Sequence, residues 1–209
     1  MESKKDNSHE GKIAIGPILL KSSATPIEVD RMIWGALKQG NRKALDYIFE
    51  KHVRLLYAYG GKISKDGSLV EDCIQDVFVE LWNKRGNLSS TDNIKFYLFK
   101  SLRRRIVRKT YEAQRELTHQ KRALALFEEI EFSFESILIQ NQNSVDQQKQ
   151  LQEALEKLSK RQREAVYLKF YEKMTYEQMA EVLDIDLKSS YKLIGKALDV
   201  LRKYVQWSY

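Results

Sequence analysis

Acids and bases are the side chains whose spacing carries chemistry in this sequence, and they fall in separate stretches. Asp72, Gln75, Asp76 and Glu80 recur at three- and four-residue steps. Tyr97, Lys100, Arg103, Arg104 and Arg108 form a second set, and Lys188, Ser189, Lys192 and Lys196 a third. Such steps gather side chains on one flank of a helix, so the first set makes an acidic flank and the other two make basic ones. General acid–base or nucleophilic catalysis needs a nucleophile beside its base, or a second acid across a cleft. Neither accompanies these residues. His9, His52 and His119 stand apart from one another and from Cys73, which gives no zinc-ligand spacing. No phosphate-binding loop, dinucleotide fingerprint or nucleophile elbow is present. These residues describe binding rather than catalysis, with no cofactor and no metal.

Helices must position them. The 209 residues hold only two prolines and nine glycines, and Leu, Lys, Glu, Gln and Arg abound, a composition that favours an all-α fold. The formal charge of +7 favours an anionic partner, nucleic acid before a membrane surface or an acidic protein. Cys73 stands alone in an apolar-periodic run, so a disulfide framework is excluded and a reducing cytoplasm is expected. The apolar stretch from Ile13 to Leu20 is broken by Gly16 and Pro17 and is too short to span a bilayer.

Residues 1–27 mix charge, Ser and Gly without periodicity, which predicts a weakly ordered tail. A first helical domain is expected over 28–112. Its apolar stripes are Met32, Ile33, Ala36 and Leu37; Ala44, Leu45, Ile48, Phe49, Val53, Leu56 and Tyr57; Val70, Cys73, Ile74, Val77, Phe78, Leu81 and Trp82; and Ile94, Leu98, Leu102 and Ile106. Gly60-Gly61 and Lys65 to Ser68 are expected to bracket a turn. Residues 113–149, with an acidic and aromatic segment around Glu128 to Glu135 and a glutamine-rich run, read as a linker. A second helical domain follows over 150–209. Ser159-Lys160-Arg161-Gln162 and Thr175-Tyr176-Glu177-Gln178 both fit the capping box, which places two helix starts.

The last two helices are short, joined by Asp184 to Leu187, and the second has two faces. Leu187, Ser190, Ile194, Ala197, Leu198 and Leu201 gather on one side, with Lys188, Ser189, Lys192, Lys196 and Lys203 opposite. That is the layout of a helix-turn-helix, whose second helix presents polar side chains to the major groove. Lysines there suit phosphates or guanine edges, and Ser189 can bond to either kind of group. Taken by itself, the pattern serves a solvated surface as well as a DNA groove. The residues around it are more specific. Ala154 to Val166, on to Phe170, and then Tyr176 to Leu183 resemble region 4 of the extracytoplasmic-function sigma factors, subunits that give RNA polymerase its promoter. The resemblance implies contact with the minus-thirty-five element and the polymerase flap, with Thr175, Tyr176, Lys188, Ser189, Lys192 and Lys196 as the DNA-facing set. Asp184 stands where that family usually has glycine, and Ser190 and Tyr191 replace a more usual valine and lysine.

The first domain resembles the other half of the same family. Val70 to Trp82, with its acidic pair, Gln-acid step and terminal Leu-Trp, is similar to region 2, which implies that Asp72, Gln75, Asp76 and Glu80 dock on the clamp coiled coil of the polymerase's largest subunit. Tyr97 to Lys100 is similar to the segment that opens and reads the minus-ten element. On the helical wheel Tyr97, Lys100, Arg103, Arg104 and Arg108 point outward, where phosphates would neutralise them, whereas Arg105 lies nearer the core and snorkels. The loop from Lys84 to Asn93 corresponds to the family segment that captures a flipped base, which makes Asn87 and Leu88 pocket candidates; by composition alone it is an ordinary surface connection.

The resemblance thus implies two helical domains joined by a linker, core RNA polymerase and promoter DNA as partners, an anti-sigma factor as a common inhibitor in the family, no membrane insertion and no enzyme activity. A stand-alone helix-turn-helix regulator is the main rival, followed by a helical hydrolase and an adaptor that binds only proteins.

Overall fold

Thr25 starts the first helix through a capping box absent from the expectations above. Its hydroxyl accepts from the Glu28 backbone N–H at 3.3 Å, and the Glu28 carboxylate accepts from the Thr25 N–H at 2.8 Å. Pro26 follows at the first helical position, where its missing N–H costs nothing. The computed structural model describes residues 24–118 and 145–204, so the tail expected over 1–27 lies almost wholly outside the described residues, as does the linker core at 119–144. The described elements are helices: α1 (Pro26–Lys38), α2 (Arg42–Ile63), α3 (Gly67–Asn83), a 3-10 turn (Arg85–Asn87), α4 (Ile94–Thr118), α5 (Val145–Glu156), α6 (Lys160–Val166), a π-helical turn (Tyr167–Tyr171), α7 (Tyr176–Leu183) and α8 (Leu187–Tyr204). Both capping boxes read from the sequence are formed: Ser159 and Thr175 accept from the N–H groups of Gln162 and Gln178, whose side chains reach back.

The chain clusters into two compact units. Among the described residues, one holds 24–53 with Phe78–Lys95, the other Arg54–Val77 with 96–118 and 145–204. In the first, Ile33, Trp34, Leu37, Ala44, Ile48 and Leu81 are buried. The indole N–H of Trp34 donates to the Ser89 carbonyl at 2.8 Å, and Asp30 accepts from the backbone N–H of Ile94 at 2.9 Å, meeting an orphan donor at the start of α4. Phe49, expected in the core stripe, is 42% exposed and meets Phe78 edge to face at 5.0 Å. His52 takes the buried place one turn on. Its imidazole is 4% exposed, and neither ring nitrogen has a hydrogen-bond partner among the described residues.

Burial, reinforced by the Lys51 charge, pulls the His52 imidazole down from 6.5 to about 4, while Asp30 acts in the opposite sense. The unfolded chain therefore binds a proton at His52 near pH 6.5 that the folded chain accepts only near 4, and stability falls as pH drops through that window. Denaturant midpoints measured across it are expected to decline, and His52→Leu is expected to flatten the decline. An unchanged pH slope in that variant rules out His52 as its source.

In the second unit α2 continues unbroken through Gly60-Gly61, where a turn was expected. Gly60 is buried, and a Cβ built on it would lie 2.5 Å from Cγ1 of Val70. It is the contact that lets α2 and α3 approach; the turn itself is confined to 64–66, and the Asp66 carboxylate accepts from the Leu69 N–H at 3.0 Å. Leu56, Tyr59, Ile63, Val70, Cys73, Leu98, Phe99, Leu102 and Ile106 are buried here. Farther along the chain α8 packs on α5, α6 and α7, using Ser190, Ile194, Ala197 and Leu201. Leu187, expected on that face, is 41% exposed because it sits at the first position of α8, ahead of the packed turn.

Between α7 and α8 the backbone of Asp184 is left-handed, at φ 54° and ψ 55°. That conformation explains the glycine expected there, since a Cβ is strained in it. Asp184→Gly is expected to raise stability by about 0.5–1 kcal/mol, read as a higher denaturant midpoint; a lower midpoint overturns the strain argument.

Candidate nucleic-acid interface

The acidic flank of α3 divides by environment. Asp72 and Gln75 are exposed. Asp76 is half-buried between Nζ of Lys109 at 2.9 Å and Nη1 of Arg105 at 3.4 Å. The Lys109 hydrogen bond chiefly holds its carboxyl below the ordinary aspartate range, and the same bond raises Lys109. Glu80 pairs with Lys84 one turn on at 2.5 Å. Of the four polymerase-facing candidates, then, Asp72 and Gln75 are the outward ones, while Asp76 also ties α3 to α4. Arg105 is mostly buried, in keeping with its expected place near the core.

In the loop after α3, the Arg85 guanidinium lies 4.3 Å from the centre of the Trp82 ring and donates to the Trp82 carbonyl at 2.8 Å. Asn87 is exposed at the end of the 3-10 turn. Leu88 is buried at 9% exposure.

Along α4 the wheel holds for Lys100, Arg104 and Arg108, which are exposed, and Tyr97 is half-buried. Arg108 lies 3.7 Å from Glu112. Arg103 departs from it. Its side chain is 12% exposed, with Nε 2.8 Å and Nη2 3.2 Å from the two carboxylate oxygens of Glu164. Burial opposes the charge on Arg103, but Glu164 more than compensates, so its pKa is raised. The wheel put Arg103 outward because a wheel contains one helix; the carboxylate that covers this face comes from α6.

The helix-turn-helix comprises α7 and α8. Lys188, Lys192 and Lys196 are exposed along α8. Ser189 is committed within its own helix start: its N–H and hydroxyl donate to the two oxygens of Asp186 at 2.8 and 2.6 Å. These bonds hold the Asp186 carboxyl low and engage the Ser189 hydroxyl as a donor, which leaves its lone pairs to accept. Thr175 caps α7. The Tyr176 ring stacks on the exposed Tyr191 at 4.0 Å, with Nζ of Lys169 4.3 Å from the Tyr176 centroid. Tyr191 stands exposed on the basic helix, between the buried Ser190 and the exposed Lys192. Among the described residues no group of His, Cys, Asp and Glu side chains could hold a metal ion, and no helix is long and apolar enough to cross a membrane.

A helix-turn-helix with a lysine-lined second helix, in a chain that also presents exposed arginines on α4, has the layout of a helical DNA-binding protein. The Sigma-70 region 2 family model matches residues 48–116, and the Sigma-70 region 4 model matches residues 148–201, together more than half of the chain. The chain belongs to the sigma-70 family, with regions 2 and 4 in the order expected of its extracytoplasmic-function members. No curated protein matches it by sequence. Its fold is similar to that of the sigma factor RpoE solved with the anti-sigma factor NepR from Bartonella quintana, at TM-score 0.55 and 23% identity over 78% of this chain and 96% of that one. It is also similar to CnrH solved with the cytosolic domain of CnrY, at TM-score 0.51 and 20% identity over 83% and 95% of the two chains.

Proposed function

We propose that this protein is an alternative sigma factor. It binds core RNA polymerase through Asp72 and Gln75 on α3, recognises promoter DNA through α4 and α8, and promotes strand opening without catalysing a reaction. The observation that carries the reading is the pair of family regions in one chain, the second ending in a helix-turn-helix whose Lys188, Lys192 and Lys196 are exposed. The domains at 28–112 and 150–209 engage separate promoter elements. With both held on one polymerase, each DNA contact can be weak and still add to a stable complex. Lys100, Arg104 and Arg108 serve the minus-ten side with Asn87 and Tyr97; Thr175 and Tyr176 approach the backbone beside α8. The protein acts in the cytoplasm, where the polymerase is, and an anti-sigma factor is the expected inhibitor.

Run-off transcription from genomic fragments, with core polymerase and with or without the protein, tests this. Discrete new transcripts are expected, falling by about tenfold or more when Asp72→Lys and Gln75→Ala are combined, since a loss of about 1.4 kcal/mol in docking is already tenfold. Specific duplex binding by a folded protein that stimulates no transcript identifies a stand-alone regulator instead.

A further inference from the structure

On the lysine face of α8 a ring and a gap stand side by side. Tyr191 lies one turn after Lys188, and Gly195 one turn after Tyr191, so both fall on the face that Lys188 and Lys192 line. Tyr191 is 50% exposed, and its ring stacks on that of Tyr176 at 4.0 Å with 25° between the planes. Nζ of Lys169 lies 4.3 Å from the Tyr176 centroid and is itself tied to the Met174 carbonyl at 3.1 Å. Tyr176 is the first residue of α7, directly after its Thr175 cap. The tyrosine pair is thus braced at a fixed helix start, and Tyr191 has little rotamer freedom left to lose on binding.

Gly195 is the second observation. Inside a helix glycine costs stability relative to alanine, and here no packing requires it: the residue is exposed in the middle of α8, and a Cβ built on it meets nothing within 4 Å. What a missing side chain gives an exposed helix face is a closer approach of its backbone to whatever docks there. Beside that gap stands an aromatic ring of fixed orientation, flanked by lysines that suit phosphates. Among the groups that base edges present in the major groove, the thymine 5-methyl is the apolar one. We infer that Tyr191 and Gly195 form a thymine-reading notch: α8 comes close to the groove floor at Gly195, and the Tyr191 ring, braced by Tyr176, packs on a thymine methyl. The inference deepens the proposed function and rests on its promoter-DNA contact.

The first measurement leaves the protein unaltered. Duplexes selected from a random pool by the full chain, alone and bound to core polymerase, are remade with uracil in place of each thymine in turn, which deletes only the methyl group. At one or two positions uracil is expected to weaken binding about fourfold, the contribution of one buried methyl group. That penalty is expected to vanish in Tyr191→Ala and to persist in Tyr191→Phe. Gly195→Ala is expected to raise the denaturant midpoint while weakening duplex binding about tenfold, because its new methyl gains helix propensity but holds α8 off the groove. A site in which no thymine responds to uracil overturns the notch, as does a penalty that Tyr191→Ala leaves in place or a Gly195→Ala that binds like the wild type. If the uracil penalty appears with the full chain alone but core polymerase is neither bound nor stimulated, the notch stands and the sigma reading fails. If transcripts start from the selected sites without any uracil penalty, the sigma reading stands and the notch fails.

Discussion

Replacing Arg104, Arg108, Lys192 and Lys196 together by alanine is expected to weaken binding of the polymerase-bound protein to promoter DNA by about 10³-fold and to leave its binding to core polymerase unchanged. All four side chains are exposed, on α4 and α8. Their loss removes contacts worth roughly 1 kcal/mol each, about 4 kcal/mol in total, and every 1.4 kcal/mol is a factor of about ten. The salt dependence is the sharper measurement. Each phosphate contact contributes about 0.9 to the slope of log affinity against log salt, so the quadruple variant is expected to lose about 3–4 in that slope. Gel-shift titrations at several salt concentrations give both quantities. An unchanged slope, with the variant folded, rejects these residues as phosphate contacts and favours an adaptor whose basic faces bind protein. Arg103 and Lys100 are left out because each is paired with a carboxylate, Glu164 and Glu181, so their replacement also disturbs the fold.

The second large effect is a change of sign between neighbouring residues. Gly60→Ala is expected to destabilise the protein by about 1–2 kcal/mol, and Gly61→Ala to stabilise it by about 0.8 kcal/mol. Both glycines are inside α2, so each alanine gains the same helix propensity, about 0.8–1 kcal/mol. The difference is tertiary. The new Cβ at Gly61 meets nothing within 4 Å, whereas at Gly60 it stands 2.5 Å from Cγ1 of Val70 and 3.4 Å from Cδ1 of Ile106. Val70 is fully buried and β-branched, so it has little freedom to withdraw, and overpacking of this kind costs about 1–3 kcal/mol or more. Equilibrium denaturation of the two variants checks this. Equal stabilisation in both shows that α2 and α3 have room to separate.

The same pair of glycines marks the boundary between local and tertiary information. Ser159 with Gln162, Thr175 with Gln178 and the lysine face of α8 were legible because each depends on residues within one or two turns, where spacing dictates geometry. The same is true of the acidic flank of α3 and of the motifs that place the chain in its family. The helix-turn-helix was readable down to its turn, and the left-handed backbone at Asp184 supplies the physical reason that glycine is usual there.

Gly60-Gly61 resembles a turn in any short window; only Val70, packed from another helix, makes the first glycine a close-approach site within a continuous helix. Phe49 and Tyr57 look like core residues by type, yet His52 and Tyr59 occupy the buried positions. Leu88 sits in a loop sequence but contributes to the core, and the Ser189 hydroxyl donates to Asp186. Arg103 is the clearest case. Its own helix supplies every reason to point it at phosphate, and the carboxylate that claims it lies 61 residues away in the chain. The sequence by itself determined the helices, their caps, the charge of each face and the family. Tertiary structure alone decided which charges remain available, because ion pairing and burial depend on distances between segments that no local periodicity encodes.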